Sequence, residues 1–393
     1  MRIVVSTPIF LPVVGGAELG IHEIYKRLGR EHDVTILTPR LPRRLLDEYG
    51  APDYTSDRYE VRYICPALDR ALPGTVSRVL KRTSLLYAAE LARIVRRERP
   101  DLINFHFIKP HGSALLLMRR LYDVPCVLSL VGRSDVVRLL NPPKRLYAET
   151  VIAQADLVLS NSTYYLGSDR GGSRFRVIPY GVDLDEFSPL RRNARLRQDL
   201  GLTSEHFMLF SVQRLAPVKR VDLLIRMMAE VVSRDPGVVL IIGGKGEEEA
   251  RLRQLVADLD LRENVRFAGY IESDRLPEYF ASSDAFVFHS MMETFGIVFA
   301  QAMACGLPII AANTSCIPDV LTSDNGFLVT PSDISAFAEA VLTLAGNREL
   351  AKQIGDRNRA RAVRELAWDL ITTRYEQAFR SVTDHRKRDI TAA

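Results

Sequence analysis

Chemistry concentrates in Glu293-Thr294-Phe295-Gly296-Ile297, with Gln301 eight residues beyond the glutamate. The run Asp284–Ser290 before it reads as a buried strand, and Phe295–Cys305 reads as a helix that Gly306 stops. An acid at the mouth of a helix lies beside backbone N–H groups that have no intrahelical acceptor, and such groups bind anions. At 1.5 Å of rise per residue the spacing sets Gln301 about 12 Å along from Glu293, on nearly the same side of a helix. A ligand with a polar group at each end and phosphates between would fit there, which is the outline of a nucleotide sugar. The same residues also fit a helix whose N-terminal acid only favours its own dipole.

A second group is cationic. Arg214 and Lys219 bracket Leu215-Ala-Pro-Val218 in the loop leaving the strand Phe207–Gln213. Two cations at a strand's carboxyl end suit a diphosphate, each charge-assisted bond contributing about 1.5–3 kcal/mol. A lysine at a helix start is unfavourable unless an anion sits with it. Gly15-Gly16 follows the first strand and precedes a helix from Ala17, so backbone can approach an anion closely there as well.

Two standard phosphate motifs fail. Gly244-Lys245-Gly246 follows a strand and opens a helix, but Glu249 stands where a dinucleotide fingerprint needs its third glycine, and its carboxylate would repel a pyrophosphate. A P-loop needs Ser or Thr after the lysine, and Gly246 is there. Asp183-Leu184-Asp185 offers two carboxylates, but beside Pro179 and Pro189 it reads as turn and capping chemistry. With no cluster of His, Cys and carboxylates, no metal is expected.

The elements that must position these residues alternate. Arg2–Ser6, Asp33–Thr38, Asp101–Phe107 and Pro125–Val131 are short β-rich runs, with helical stretches at Ala17–Arg30, Val79–Arg97 and Gly112–Tyr122. A second series follows: strands Phe207–Gln213, Val238–Gly243, Asn264–Phe267, Asp284–Ser290, Pro308–Ala312 and Gly326–Val329, with helices Arg220–Ser233, Glu247–Leu259, Phe295–Cys305 and Ile334–Ala345. Such alternation argues α/β domains with parallel, doubly wound sheets. Arg176 to Pro189, with two prolines and a glycine, reads as the linker between the series.

At 393 residues, 47% hydrophobic and 26% charged, the chain has room for two such domains. A net charge of +5 is too mild to imply nucleic acid. No apolar run approaches the roughly 20 residues needed to span a bilayer. The apolar start is short and broken by Pro8 and Pro12, so it reads as a first strand and not a signal peptide. Cys65, Cys126, Cys305 and Cys316 form no CxxC pair, which fits buried thiols in a reducing cytoplasm.

Taken together these segments resemble the retaining glycosyltransferases of family 4. Gly15-Gly16-Ala17-Glu18 is similar to that family's N-terminal glycine loop. Val177-Ile-Pro-Tyr-Gly-Val-Asp183 with Phe187 and Pro189 resembles its interdomain linker, with Tyr180 in place of the usual asparagine. Arg214 and Lys219 match its diphosphate pair, and Val265-Arg-Phe-Ala-Gly-Tyr-Ile271 the strand whose end, at Tyr270 and Ile271, holds the base. Glu293 to Pro308 matches the donor-sugar segment, and Trp368 and Tyr375 the closing helix. The resemblance implies the GT-B fold: two facing Rossmann-like domains with a central cleft. Residues 1–180 would form an acceptor-side domain, with a helix at about 368–385 packing back on it, and 190–367 the domain that binds the nucleotide sugar.

The activity so implied is transfer of a hexose or N-acetylhexosamine from a nucleoside-diphosphate sugar to an acceptor hydroxyl, with retention and without a cofactor. Glu293, Arg214 and Lys219 would be catalytic, and Gly15, Gly16, Tyr270, Ile271, Phe295, Gly296, Ile297 and Gln301 would bind the donor. His106 and Asp135, at carboxyl ends of N-terminal strands, are acceptor-side candidates; His106 equally fits a satisfied core histidine, and His289 reads as structural. Three departures stand out: Gln301 replaces the second acid of E-x7-E, Val131 stands where a histidine is frequent, and Asp319 where glutamate is common. The acceptor would be a glycan or a lipid-linked molecule. Arg70, Arg78, Val79, Leu80, Lys81, Arg82, Leu85, Leu86, Arg93, Arg96 and Arg97 form a basic, apolar stretch that fits either peripheral contact with the inner face of a membrane or a cover helix with solvated arginines. The alternatives are a GT-B nucleotide-sugar epimerase or phosphorylase, or an inactive scaffold that binds sugar nucleotides.

Overall fold

The computed structural model describes residues 1–11, 15–39, 54–64, 76–166 and 172–392. The chain divides into two compact units, Met1–Pro179 with Trp368–Ala393, and Tyr180–Ala367.

The first unit is built on strands β1 (Arg2–Ser6), β2 (Asp33–Pro39), β3 (Glu60–Ile64), β4 (Leu102–His106), β5 (Cys126–Leu130), β6 (Leu157–Ser160) and β7 (Phe175–Val177). Among the described residues they form one sheet in the order β3-β2-β1-β4-β5-β6-β7, every pair parallel. β4, β5 and β6 are buried along their whole length, as expected of strands covered on both faces. Helices α1 (Gly16–Leu28), α2 (Val76–Glu98), α3 (Gly112–Leu121), α4 (Arg133–Leu140) and α5 (Pro142–Gln154) connect them. Tyr87, Leu91, Ile103, Phe105, Leu115 and Met118 lie in one core.

The second unit repeats the scheme with β8 (Phe207–Val212), β9 (Val238–Gly243), β10 (Val265–Gly269), β11 (Ala285–Phe288), β12 (Ile309–Ala312) and β13 (Gly326–Val329). Their order is β10-β9-β8-β11-β12-β13, again all parallel. Helices α6 (Ala194–Asp199), α7 (Val221–Val232), α8 (Glu249–Asp258), α9 (Leu276–Ser282), α10 (Ile297–Ala304), α11 (Ile317–Val320), α12 (Ile334–Gly346) and α13 (Arg348–Glu365) complete it. In α7, Leu224, Ile225, Met228 and Val231 recur at helical spacing and all enter the core.

The last helix, α14 (Trp368–Ala392), belongs to the first unit. Trp368 and Tyr375 on it are buried. Arg27 of α1 donates to Asp369 at 3.0 Å and lies over the Trp368 ring, while His32 meets Glu376 at 3.2 Å.

Several elements depart from the sequence reading. Arg176 and Val177, expected in the linker, belong to β7, a three-residue strand with an exposed end that carries no alternation to read. α5, absent from that reading, opens on Pro142-Pro143 in its first turn, where the missing N–H groups have no acceptor anyway. β3 pairs with β2 although its burial is only partial. Asp183 makes a turn, as its setting suggests: its Oδ1 accepts from the N–H of Asp185 at 3.1 Å and of Glu186 at 3.0 Å. Cys126, Cys305 and Cys316 are buried; Cys65 lies outside the described residues.

Candidate active site

In each sheet the connections run outward in opposite directions from one pair of central strands. Loops at the carboxyl ends of that pair splay apart and leave room for a ligand. In the second unit the pair is β8 and β11. Arg214 and Lys219 follow β8, and Glu293 follows β11. The backbone joins the two loops, with Met291 N donating to Val218 O at 2.9 Å.

Lys219 closes a short 3-10 turn, Pro217–Lys219. Its ammonium bonds directly to the Glu293 carboxylate and sits 5.5 Å from the centroid of the Phe288 ring. Both side chains are largely out of water. The backbone of Glu293 is held separately, its N–H donating to Ser315 Oγ at 2.9 Å. Ser315 is itself left-handed, at φ 49°. Nothing in the sequence singled it out, because a short polar residue after a strand is ordinary turn composition.

The helix beyond Glu293 begins later than expected. Gly296 has φ 79° and serves as N-cap, so α10 starts at Ile297. A Cβ on Gly296 would come within 2.6 Å of the Phe299 ring, which leaves glycine as the residue that fits. Only Ile297 to Gln301 of the eight-residue interval is helical, so the estimate of about 12 Å on one helix face does not hold. Glu293 lies in the loop before the helix and Gln301, buried, lies on the helix itself. Phe295 is buried edge-on to Tyr180, with centroids 5.7 Å apart.

The remaining second-unit candidates lie around this pair without joining it. Arg214 is 70% exposed and reaches Glu247 at 3.8 Å, a loose contact that water screens. Tyr270, just past β10, is 52% exposed, and Ile271 rests against Gly243 at the end of β9. The glycines of Gly244-Lys245-Gly246 have a packing reason: a Cβ would fall 1.9 Å from Gln213 O at the first and 2.2 Å from Leu215 O at the second. They let this loop lie against the one that carries Arg214.

In the first unit Gly15 caps α1 and Gly16 opens it. The Glu18 carboxylate folds back so closely that a Cβ on Gly15 would meet its Oε2 at 2.4 Å, and burial raises the pKa of that carboxyl. His106 and Asp135 are both fully buried, so neither presents an atom to a substrate as an acceptor-side residue would. His106 accepts or donates at Nε2 to Tyr25 OH over 3.1 Å, beside Asn104, whose amide donates to the same hydroxyl at 2.7 Å. Burial drives its pKa down to about 3, which keeps the ring neutral. Asp135 accepts from Ile108 N at 2.9 Å and Gly132 N at 3.2 Å, tying the loop after β4 to the start of α4. Burial raises its pKa to about 6. Val131 is buried. His289 bonds through Nε2 to Pro331 O at 2.8 Å. Among the described residues no group of three or more His, Cys, Asp or Glu could hold a metal ion.

Residues 193–361 match the model for glycosyl transferases group 1, and residues 14–186 that for Glycosyltransferase Family 4. A GDP-mannose-dependent monoacylated alpha-(1-6)-phosphatidylinositol monomannoside mannosyltransferase of Corynebacterium glutamicum is 30% identical over 307 residues, which cover 75% of this chain and 80% of that one. The chain belongs to the family 4 glycosyltransferases. An N-acetyl-alpha-D-glucosaminyl L-malate synthase of Bacillus anthracis is 27% identical over 385 residues, 94% of this chain and 95% of that one. Among solved structures, sucrose-phosphate synthase from Thermosynechococcus elongatus superposes with a TM-score of 0.81 at 21% identity, over 98% of this chain and 99% of that one. At that identity the likeness speaks for the fold, and the fold of this glycosyltransferase is GT-B. No described helix is long and apolar enough to cross a membrane.

Proposed function

We propose that this glycosyltransferase moves a hexose or N-acetylhexosamine from a nucleoside-diphosphate sugar to an acceptor hydroxyl with retention at the anomeric carbon. The observation that carries the reading is the contact of Lys219 with Glu293 where the two central loops of the second unit meet. A cation and a carboxylate that neutralise each other in the free protein are matched to a ligand with a diphosphate for one and sugar hydroxyls for the other. The relatives' names add support: one is GDP-mannose-dependent and one makes a glucosaminyl product.

As the bond from the anomeric carbon to the diphosphate breaks, negative charge gathers on the leaving oxygen. Lys219, Arg214 and the first-turn N–H groups of α10 would stabilise it, and preorganised donors of this kind lower barriers by several kcal/mol. Glu293 would orient the sugar and face its developing positive charge. The acceptor oxygen bonds to the same face of that carbon, and its proton passes to the departing diphosphate, so the cycle assigns no step to a metal or to a histidine. Tyr270 and Ile271 would lie beside the base, and Gln301 and Phe295–Ile297 would contact the ribose and diphosphate. Because Glu18 already occupies the start of α1, Gly15 and Gly16 could meet a phosphate only with that carboxylate displaced.

Replacing Arg214 or Lys219 with alanine should lower turnover roughly 10²-fold with the fold intact, as for loss of a transition-state donor. Release of nucleoside diphosphate measures it, and wild-type rates in both variants would remove the pair from the mechanism. The proposed acceptor is a glycan or a lipid-linked molecule, the latter reached by peripheral contact between the first unit and a membrane. Arg70 and the side chains from Arg78 to Leu86 lie outside the described residues. Support comes instead from α4 and α5, where Leu140 and Leu146 are 63% and 78% exposed with Lys144 and Arg145 exposed between them.

A further inference from the structure

Arg220, next to Lys219, has φ 46° and ψ 43°, a left-handed conformation in which a side chain is strained and glycine is not. It is both the end of the turn Pro217–Lys219 and the N-cap of α7. Its side chain is forked onto Asp222 in the first turn of that helix, Nε to Oδ1 at 3.0 Å and Nη2 to Oδ2 at 3.1 Å. Two parallel bonds of this kind fix a guanidinium in direction as well as distance. On its other side the turn is equally tied, with Lys219 N donating to Ala216 O at 2.9 Å and Arg220 N to Pro217 O at 3.3 Å. The left-handed residue thus turns the chain from the short turn that carries Lys219 directly into α7.

We propose that Arg220 is a positioning residue: its left-handed backbone aims Lys219 at Glu293, and the fork to Asp222 holds a non-glycine residue in that conformation. This rests on the assignment of Lys219 to the donor diphosphate. The guanidinium itself is spent on Asp222 and has no part in holding the ligand. Strain of this sort persists only where surrounding contacts enforce it, and it collects where geometry must be exact. A displacement of about 1 Å in a binding cation is enough to lose tenfold or more in what it does for a ligand.

Two substitutions separate the backbone from the charge. Arg220→Ala removes the fork and keeps the strain, whereas Arg220→Gly removes the fork and the strain together. Calorimetric titration with UDP, GDP and ADP on wild type, on both variants, on Lys219→Ala and on the Lys219→Ala/Arg220→Ala double variant reads the outcome, with a melting curve for each. For the diphosphate that binds wild type, Arg220→Ala should weaken binding about tenfold while Arg220→Gly stays within about twofold. On the Lys219→Ala background Arg220→Ala should change nothing further, because it acts through that lysine.

Equal weakening in both Arg220 variants would mean the guanidinium touches the ligand, and the inference would fall. Wild-type binding by Arg220→Ala, or the same loss with and without Lys219, would also overturn it. Wild-type affinity in Lys219→Ala, or a wild type that binds none of the three, would bring down the donor-site assignment and this inference together. Weakened binding in Lys219→Ala with the Arg220 results reversed would remove the positioning role alone. The glycine variant keeps the test independent of folding, since it relieves the strain.

Discussion

Asp135 and Gln301 are the two residues whose chemistry is most exposed to experiment. Asp135 is a buried carboxyl whose pKa is lifted by burial to about 6 from an ordinary 3.8. The folded chain thus holds that proton more tightly than the unfolded one. Its contribution to stability is full below about pH 4 and is lost as pH rises through about 6, some 3 kcal/mol at about 1.4 kcal/mol per unit. Asp135→Asn should therefore flatten the fall in stability between about pH 4 and 7 relative to wild type. Melting curves across that range measure it, and parallel pH profiles would contradict it. Gln301 concerns the ligand instead. If it stands where an acid would accept from ribose hydroxyls, Gln301→Glu should tighten nucleoside-diphosphate binding by up to about tenfold, one charge-assisted increment. Calorimetry decides, and unchanged or weaker binding would mean the ribose is held by other groups. The places of Lys219 and Glu293 in the loops after β8 and β11 were legible because both follow runs that read plainly as buried strands. Ser315 and the Glu18 carboxylate over Gly15 were not, since both depend on where the chain folds back. His106 and Asp135 show the converse: a polar residue at a strand's carboxyl end can be wholly internal.

At the scale of elements, strands such as β1, β9 and β13 have the bounds that their apolar runs predict. Parallel strands buried on both faces announce themselves, and amphipathic helices between them do the same. β7 is too short for any period, and the start of α10 turns on one left-handed glycine, so neither was readable from pattern alone. The helices α4 and α5 escaped for a related reason, their exposed faces mixing leucine with basic residues. That mixture suits an anionic leaflet, at about 1 kcal/mol for each basic residue near the surface. The protein should float with anionic liposomes at about 0.15 M salt and lose that property on charge reversal of Lys144 and Arg145. No flotation, or flotation indifferent to the reversal, would leave these faces as solvated cover and favour a water-soluble acceptor.

For the whole molecule, the alternation of strand and helix predicts two doubly wound units, and the chain forms two, with the final helix returning to the first. Topology then does what composition cannot: in the second unit it puts the loops after β8 and β11 side by side, so that Lys219 and Glu293 meet across 74 positions of sequence. An epimerase or phosphorylase on the same fold would share that meeting, and so would an inactive scaffold; a transferase passes the sugar to an acceptor hydroxyl, whereas a phosphorylase passes it to inorganic phosphate, an epimerase needs no acceptor and a scaffold leaves the donor intact. Each of these readings seats a sugar nucleotide at that pair. A thermal-shift panel of UDP-, GDP- and ADP-sugars on wild type and Lys219→Ala tests it directly. One donor class, held at 100 times its dissociation constant, should stabilise wild type by about 2.7 kcal/mol and lose most of that in the variant. No stabilisation by any of the three, or equal stabilisation of both proteins, would mean that no sugar nucleotide is held by Lys219 and Glu293.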